Sequence, residues 1–182
     1  MKKPLFIHIP KAGGSSIQRI FQAYNKNLTG CLHRVVASYS KKERESCFVF
    51  TFTRNPFDRL LSAHKYLTGA FGNAGDTEFG KTLSSDFQQF VKKQLSDNIN
   101  WLHFRPMTFW LNDDLDYIGR FENFQQGFDT VCDKIGIPRQ RIPHRNKTDH
   151  KHYTEYYDNE TRQIVAERYA KDIEYFGYKF GE

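Results

Sequence analysis

The sequence predicts one α/β domain with a central parallel β-sheet and helices on both of its faces. Short apolar or β-branched runs alternate along the chain with segments of helical periodicity, and this order is typical of parallel strands joined by covering helices. The chain has 182 residues, enough for one domain with a hydrophobic core. It contains no internal repeat, low-complexity segment or linker, so residues 1–182 are predicted to form a single domain.

The first third of the chain contains two predicted strands and a helix between them. Residues 5–9 form a short apolar run that predicts a strand, and apolar residues at helical spacing from Ile17 predict a helix that starts near Ser15. Ser15 or Ser16 is expected to be the N-cap of that helix. Residues 47–53, CFVFTFT, are β-branched and aromatic, which is typical of a strand.

The remaining elements follow from turn residues and periodicity. Pro56 suits the first turn of a helix that carries an apolar face. The glycine-rich residues 68–80 are expected to form a long surface loop. Residues 117–121 predict a third strand. Further helices are predicted around Phe87–Leu95, from Phe124 to a stop at Gly136, and after a cap at Asp158.

The charge of the chain favours an anionic partner. Lysine and arginine exceed aspartate and glutamate by 27 to 21, which gives a formal net charge of +6. A phosphorylated cofactor, an acidic polymer or a nucleic acid would each fit this charge. Aromatic residues make up 16% of the chain and supply both core area and flat faces for stacking.

Several site types and locations are not expected. Cys31, Cys47 and Cys132 form an odd set without paired spacing, which indicates a reducing compartment and no disulfide framework. The N-terminal apolar stretch is too short for a signal peptide, and no run approaches the roughly 18 residues of a membrane span. A cytoplasmic protein without stable membrane insertion is therefore expected. No set of His, Cys, Asp and Glu has metal-ligand spacing, so no metal is predicted.

The segment HIPKAGGSS, residues 8–16, joins the first strand to the first helix. Glycines let the backbone approach a ligand closely, and the unpaired N–H groups of a helix start bind anions. Lys11 adds a positive charge, and the two serines add hydroxyl donors. The segment lacks the Gly-Lys-Ser/Thr of a nucleoside-triphosphate loop, because its lysine precedes the glycines. It therefore predicts an anion cradle for a ligand other than a triphosphate.

A second motif, FTFTRNPFDRLLSAH, spans residues 50–64. Arg54 comes directly after the second predicted strand, and Ser62 lies eight residues later on the next helix. Ligands of open α/β sheets bind at the carboxyl ends of strands, so these two side chains could converge on a second anionic group. The alternative is that Arg54 pairs with Asp58 and has a structural role.

Taken together, IPKAGGSS and TRNPFDRLLSAH resemble the sulfotransferase family that uses 3′-phosphoadenosine-5′-phosphosulfate (PAPS). The carbohydrate (type 2) branch is the most similar. The resemblance continues through YIGRFENF, RNKTDHKHYTEYYDNET and DIEYFGYKF, so it extends over nearly the whole chain. It implies a P-loop-NTPase-like sulfotransferase fold, PAPS as the sulfuryl donor and 3′-phosphoadenosine-5′-phosphate (PAP) as the product.

The resemblance also implies which residues bind PAPS. The first loop would bind the 5′-phosphosulfate, and Lys11 would neutralise the charge that grows on the bridging oxygen. Arg54 and Ser62 would bind the 3′-phosphate, and a basic loop at 138–152 would close over that phosphate and the adenine. The implied binding residues are Lys11, Ala12, Gly13, Gly14, Ser15, Ser16, Arg54, Ser62, Arg145, Lys147 and Thr148. Ala12 stands where the family usually has threonine, which removes one possible hydroxyl donor.

The base that accepts the proton of the acceptor hydroxyl has three candidates. His33 comes first, because its segment CLHRVVASY lies between the two motifs and is similar to the segment that holds the base in some family members. His103, in a segment similar to the family's HWRPQ, comes second. Glu122 is an alternative base or orienting carboxylate. Trp101, Phe104 and Trp110 would either stack on a sugar ring or pack in the core.

The leading functional prediction is sulfuryl transfer from PAPS to a hydroxyl, above all of a carbohydrate or glycoconjugate. A P-loop-like nucleotide or small-molecule kinase is the alternative enzyme, although the absent Gly-Lys-Ser/Thr counts against it. A basic nucleic-acid-binding domain is the alternative from another class, but no nucleic-acid-binding motif is present. A sulfotransferase fold that binds a nucleotide without catalysis is disfavoured, because every expected cofactor position is filled. The acceptor's identity and the oligomeric state stay open.

Overall fold

The structure is a computed structural model that describes residues 2–23, 28–30, 33–95, 100–111, 115–142 and 151–182. It confirms the α/β class with a parallel sheet and helices. In chain order, the helices are α1 (Gly14–Ala23), α2 (Lys41–Ser46), α3 (Pro56–Thr68), α4 (Ala74–Lys81), α5 (Phe87–Gln89), α6 (Phe124–Ile135), α7 (Asn159–Arg168) and α8 (Ala170–Phe176). The chain forms two compact units, one of Met1–Arg54 with Met107–Thr148, the other of Asn55–Pro106 with Asp149–Glu182.

The first unit contains the sheet. Its strands are β1 (Lys3–Ile7), β2 (Cys47–Thr53) and β3 (Tyr117–Arg120), which lie in this order and are all parallel. The central strand β2 is buried at every position, which explains its continuous apolar and β-branched sequence. The prediction of residues 47–53 as a strand is confirmed, while the first strand begins and ends two residues earlier than expected.

Helices α1 and α6 pack on one face of this sheet. Side chains at alternate strand positions point to the same face. Phe6, Phe50 and Phe52 accordingly share one core cluster with Ile17 of α1 and Phe128 of α6. Burial of such large side chains stabilises the unit by about 1.5–3 kcal/mol each. Since α1 follows β1 after a short loop, its N-terminus lies at the carboxyl end of the sheet.

Helix α1 begins one residue earlier than the sequence predicts. It starts at Gly14, so Ser15 and Ser16 lie inside its first turn and neither is its N-cap. The main-chain N–H of Ser16 donates to the carbonyl of Gly13 at 3.0 Å. The backbone turn at Gly13 thus replaces the side-chain cap that was expected.

The second unit contains helices α3, α4, α5, α7 and α8. Its core includes Leu60, Phe90, Phe104 and Tyr169, which are all fully buried. Helix α3 begins at Pro56 as predicted, after the N-cap Asn55. Helix α5 continues into a π-helical turn at Phe90–Leu95, in the region predicted to be helical.

The glycine-rich residues 68–80 do not form one long loop, because α4 begins at Ala74. The Asn73 side chain accepts a hydrogen bond from the main-chain N–H of Asp76 at 2.9 Å and caps the helix. A Cβ atom at Gly80 would lie 2.1 Å from the main-chain oxygen of Leu67, so this glycine allows α4 to approach α3 closely. Tertiary packing therefore outweighs the low helix propensity of glycine.

Two helix boundaries agree with the sequence. Helix α6 ends at Gly136, which has the left-handed φ of 68°. Asp158 caps α7 and accepts a hydrogen bond from the N–H of Thr161 at 2.7 Å. Among the residues that the structure describes, no helix has the length and apolar character needed to cross a membrane.

Candidate active site

Three chain segments meet the carboxyl ends of the three strands. Residues 8–13 follow β1, Arg54 directly follows β2, and a 3₁₀ turn at Phe121–Asn123 directly follows β3. The strands are parallel, so all three segments lie at one edge of the sheet. This is the edge at which open α/β sheets bind ligands.

The loop after β1 has an unusual backbone. Lys11 has a φ of 66°, although it is not glycine, and Gly13 has a φ of 88°. A left-handed conformation of a non-glycine residue costs about 1–2 kcal/mol and persists where surrounding contacts fix it. The chain thereby turns sharply between β1 and α1. Lys11 consequently lies close in the chain to the unpaired N–H groups of the first turn of α1.

The two glycines of the loop are required by the rings that pack against them. A Cβ atom at Gly13 would lie 2.5 Å from Cζ of Phe124, and a Cβ atom at Gly14 would lie 2.1 Å from Cδ2 of His8. Both distances are shorter than any real contact of a Cβ atom. The cradle is therefore shaped by ring packing as well as by backbone torsion.

The other loop residues differ in exposure. Lys11 and Ser16 are partly buried, and Ser15 is exposed. The methyl group of Ala12 is 1% exposed and therefore packs inside the fold. Ala12 therefore offers no side-chain donor to a ligand.

Arg54 connects the loop to the turn after β3. Its Nη1 donates a hydrogen bond to the main-chain oxygen of Lys11 at 3.2 Å. Its guanidinium carbon lies 4.4 Å from the ring centroid of Phe121. In the β2–β3 register Thr53 pairs with Arg120, so the residues that follow them, Arg54 and Phe121, lie side by side. Arg54 is therefore part of the loop's own support.

His33 lies beside the loop and is exposed. Its Nδ1–H donates to the main-chain oxygen of His8 at 2.9 Å, and the two imidazole centroids are 4.1 Å apart. The indole ring of Trp110 lies 6.1 Å from the His33 ring. With Nδ1 as the donor, the neutral imidazole has its lone pair on Nε2, which is the arrangement that a general base needs.

His8 also belongs to this site, although the sequence pattern assigned it no role. The His8 ring contacts Gly14 and the His33 ring, and its Nδ1 lies 3.5 Å from Nε2 of Gln18. Its position directly before Ile9-Pro10-Lys11 was the sequence feature that could have indicated its place beside the loop. Glu122 is exposed in the turn after β3, so it shares the same edge of the sheet.

His103 belongs to the second unit and has a buried carboxylate partner. Its Nδ1 lies 3.7 Å from Oδ1 of Asp76, and both residues are buried. The indole N–H of Trp101 donates to the same Oδ1 at 3.1 Å. Burial and the nearby Asp76 charge raise the pKa of Tyr66, whose ring lies 5.2 Å from the His103 ring. His103 is thus held in a buried polar cluster.

The candidate sugar-stacking residues are largely core residues. Phe104 is 0% and Trp110 is 1% exposed, and Trp101 stacks on Phe79 at 4.1 Å between centroids. Packing is therefore their evident role. An exposed aromatic residue that sequence reasoning did not consider is Phe109, whose ring meets Trp110 edge-on at 5.3 Å.

The remaining predicted binding residues stay predictions. Ser62 is partly buried on α3 of the second unit. Arg145, Lys147 and Thr148 lie outside the described residues.

Cys47 and Cys132 are buried free thiols. Within the part of the chain that the structure describes, no group of three or more His, Cys, Asp or Glu residues could hold a metal ion.

Comparisons with known proteins give a family match over nearly the whole chain. The model of the family described as "Sulfotransferase family" matches residues 2–179. A protein of Archaeoglobus fulgidus with the description "Uncharacterized protein" is 28% identical over 101 residues, which cover 55% of this chain and 77% of that protein. No solved structure matches the chain significantly. The family match includes the loop after β1, Arg54 and the turn after β3.

Proposed function

Because the chain belongs to the sulfotransferase family, we propose that it transfers the sulfuryl group of PAPS to a hydroxyl of a carbohydrate or glycoconjugate. The observation that carries this proposal is the joined pair of anion-binding elements at one sheet edge. The Lys11 loop and Arg54 are linked by the hydrogen bond between Arg54 Nη1 and the Lys11 carbonyl. PAPS is a donor with two separate anionic groups, and this pair supplies a cationic element for each.

The residues present fit such a donor. The absence of a side chain at Gly13 lets the loop turn tightly against the Phe124 ring. The start of α1 supplies N–H groups to the 5′-phosphosulfate, and Lys11 supplies a point charge. The planar guanidinium of Arg54 suits the 3′-phosphate because it offers paired donors to phosphate oxygens.

The proposed reaction is a single in-line displacement. The acceptor oxygen forms a bond to sulfur while the bond between sulfur and the phosphate oxygen breaks, and PAP leaves. His33 accepts the hydroxyl proton at Nε2, since its Nδ1–H is directed to the His8 carbonyl. Lys11 stabilises the negative charge that develops on the departing phosphate oxygen. Each residue thus has one electrostatic or proton-transfer role.

Donor binding tests the proposal first. We expect calorimetric titration to show micromolar binding of PAP, much weaker binding of AMP and no binding of ATP. Arg54→Ala should weaken PAP binding about 10–100-fold, because a hydrogen bond to a charged group contributes about 1.5–3 kcal/mol. AMP binding should fall much less, since AMP loses only the support that Arg54 gives to the Lys11 loop. Arg139→Ala, which removes an exposed arginine, is the matched control. Binding of ATP in preference to PAP would favour the kinase alternative.

The carbohydrate acceptor is supported by Phe109. Its ring is 47% exposed and stands against Trp110, the residue whose ring neighbours His33. An exposed aromatic ring that contacts the neighbour of the proposed base is a suitable platform for the apolar face of a sugar. This placement favours a saccharide over a small alcohol, which would gain little from stacking.

Phe109→Ala is expected to raise the KM for a saccharide acceptor about 3–10-fold. The loss follows from the roughly 0.5–1.5 kcal/mol of an aromatic contact, and PAP affinity should not change. The measurement is transfer from sulfur-35-labelled PAPS to a panel of saccharides, tyrosine peptides and simple alcohols. Phe71→Ala, which removes an exposed phenylalanine, is the control. Transfer to peptides or simple alcohols alone would show that the carbohydrate assignment is wrong.

A further inference from the structure

Two aromatic rings lie beneath the pair of anion-binding elements. Phe121 and Phe124, here called the aromatic platform, have ring centroids 5.3 Å apart. Phe121 carries the guanidinium of Arg54 at 4.4 Å, and Phe124 fills the space where a Gly13 side chain would be. The platform therefore contacts both the glycine loop and the arginine that follows β2.

The two rings differ in their relation to the core. Phe124 packs against the core cluster that covers the sheet and meets Phe52 edge-on at 4.8 Å. Phe121 is partly exposed and is not among the described residues that pack against that cluster. Core packing therefore accounts for Phe124, whereas the Phe121 ring lies against Arg54, Phe124 and Gly13 of the loop.

An arginine side chain needs such support to recognise a phosphate well. It carries about 2 kcal/mol of rotamer entropy, which is lost when the guanidinium is fixed on a ligand. The Phe121 ring and the hydrogen bond to the Lys11 carbonyl together restrict the conformations open to the Arg54 side chain. Part of the ordering is thereby complete before a ligand binds.

We propose that Phe121 is a positioning residue for recognition of the donor's 3′-phosphate. Its ring holds the guanidinium of Arg54 in the plane that a phosphate group requires. This inference rests on the proposed function, since it takes Arg54 to be the ligand of that phosphate. Phe121 itself touches neither the sulfuryl group nor the acceptor in this proposal.

The test compares PAP with AMP, which differ only in the 3′-phosphate. Phe121→Leu is expected to weaken PAP binding about 3–30-fold and AMP binding much less, while Phe121→Tyr keeps PAP binding within about twofold. In a double-mutant cycle, adding Phe121→Leu to Arg54→Ala should cause no further loss. Phe71→Leu is the matched control on an exposed phenylalanine, and thermal unfolding shows whether each variant is folded.

The outcomes separate this inference from the proposed function. Equal losses for PAP and AMP in Phe121→Leu would show a general packing role and overturn the inference, and so would unchanged PAP binding. Additive losses in the double mutant would overturn it as well, because Phe121 would then act without Arg54. If the wild-type protein itself bound PAP no better than AMP, the donor assignment would fail and the inference with it.

Discussion

Lys11→Ala is expected to lower kcat about 100–1000-fold. The lysine is the positive charge of the loop after β1, and in the proposed reaction it stabilises charge that appears only as the bond to sulfur breaks. Removal of one such group commonly costs about 2.7–4 kcal/mol in the transition state. PAP affinity should fall much less, because the helix N–H groups and Arg54 remain. Single-turnover transfer from labelled PAPS, together with PAP titration, measures both effects.

The left-handed backbone of Lys11 allows the charge to be separated from folding. Glycine adopts a φ of 66° without steric cost, so Lys11→Gly relieves the strain that Lys11→Ala retains. We expect the glycine variant to melt no lower than the alanine variant and to be equally inactive. Lys2→Ala, which removes an exposed lysine near the same strand, should be fully active. Turnover near the wild-type rate in either Lys11 variant would contradict the assigned role.

His33→Ala is expected to lower kcat about 100-fold or more while PAP affinity is unchanged. General bases typically contribute about 10²–10⁴-fold to the rate. His33→Asn is the sharper variant, because its amide N–H can still donate to the His8 carbonyl but cannot accept the proton. Both variants should lose the same activity if proton transfer is the role of His33. Recovery of activity in His33→Asn would show instead that the ring only supports the loop.

The two other candidate bases supply the comparison. Glu122→Gln and His103→Asn should retain transfer within about tenfold, since neither side chain accepts the proton in the proposed reaction. His103 is buried beside Asp76, so its variant also requires a thermal unfolding measurement. Full activity of His33→Ala, with a large loss in either of these variants, would transfer the role of base to that residue.

Local patterns were sufficient for much of the fold. Residues 47–53 have the composition of a buried strand, and the end of α6 at Gly136 and the cap of α7 at Asp158 follow from residue chemistry. The interpretation failed at α4, where Gly80 serves close helix packing rather than a loop, and at Ser15 and Ser16. At Gly80 the deciding factor is contact with Leu67 of α3, and at Ser15 and Ser16 it is the backbone turn at Gly13.

The sequence by itself determined which residues follow each strand and what chemistry they carry. The lysine and glycines after β1 and the arginine after β2 are local features, because the order of residues at a strand end depends on the chain alone. Tertiary structure alone decided what these groups contact. Phe121 stands 67 positions after Arg54 in the sequence, and only the register of β2 against β3 brings its ring under the guanidinium. The same holds for His8, Gly14 and His33, whose contacts arise where a strand, a helix start and a distant segment meet.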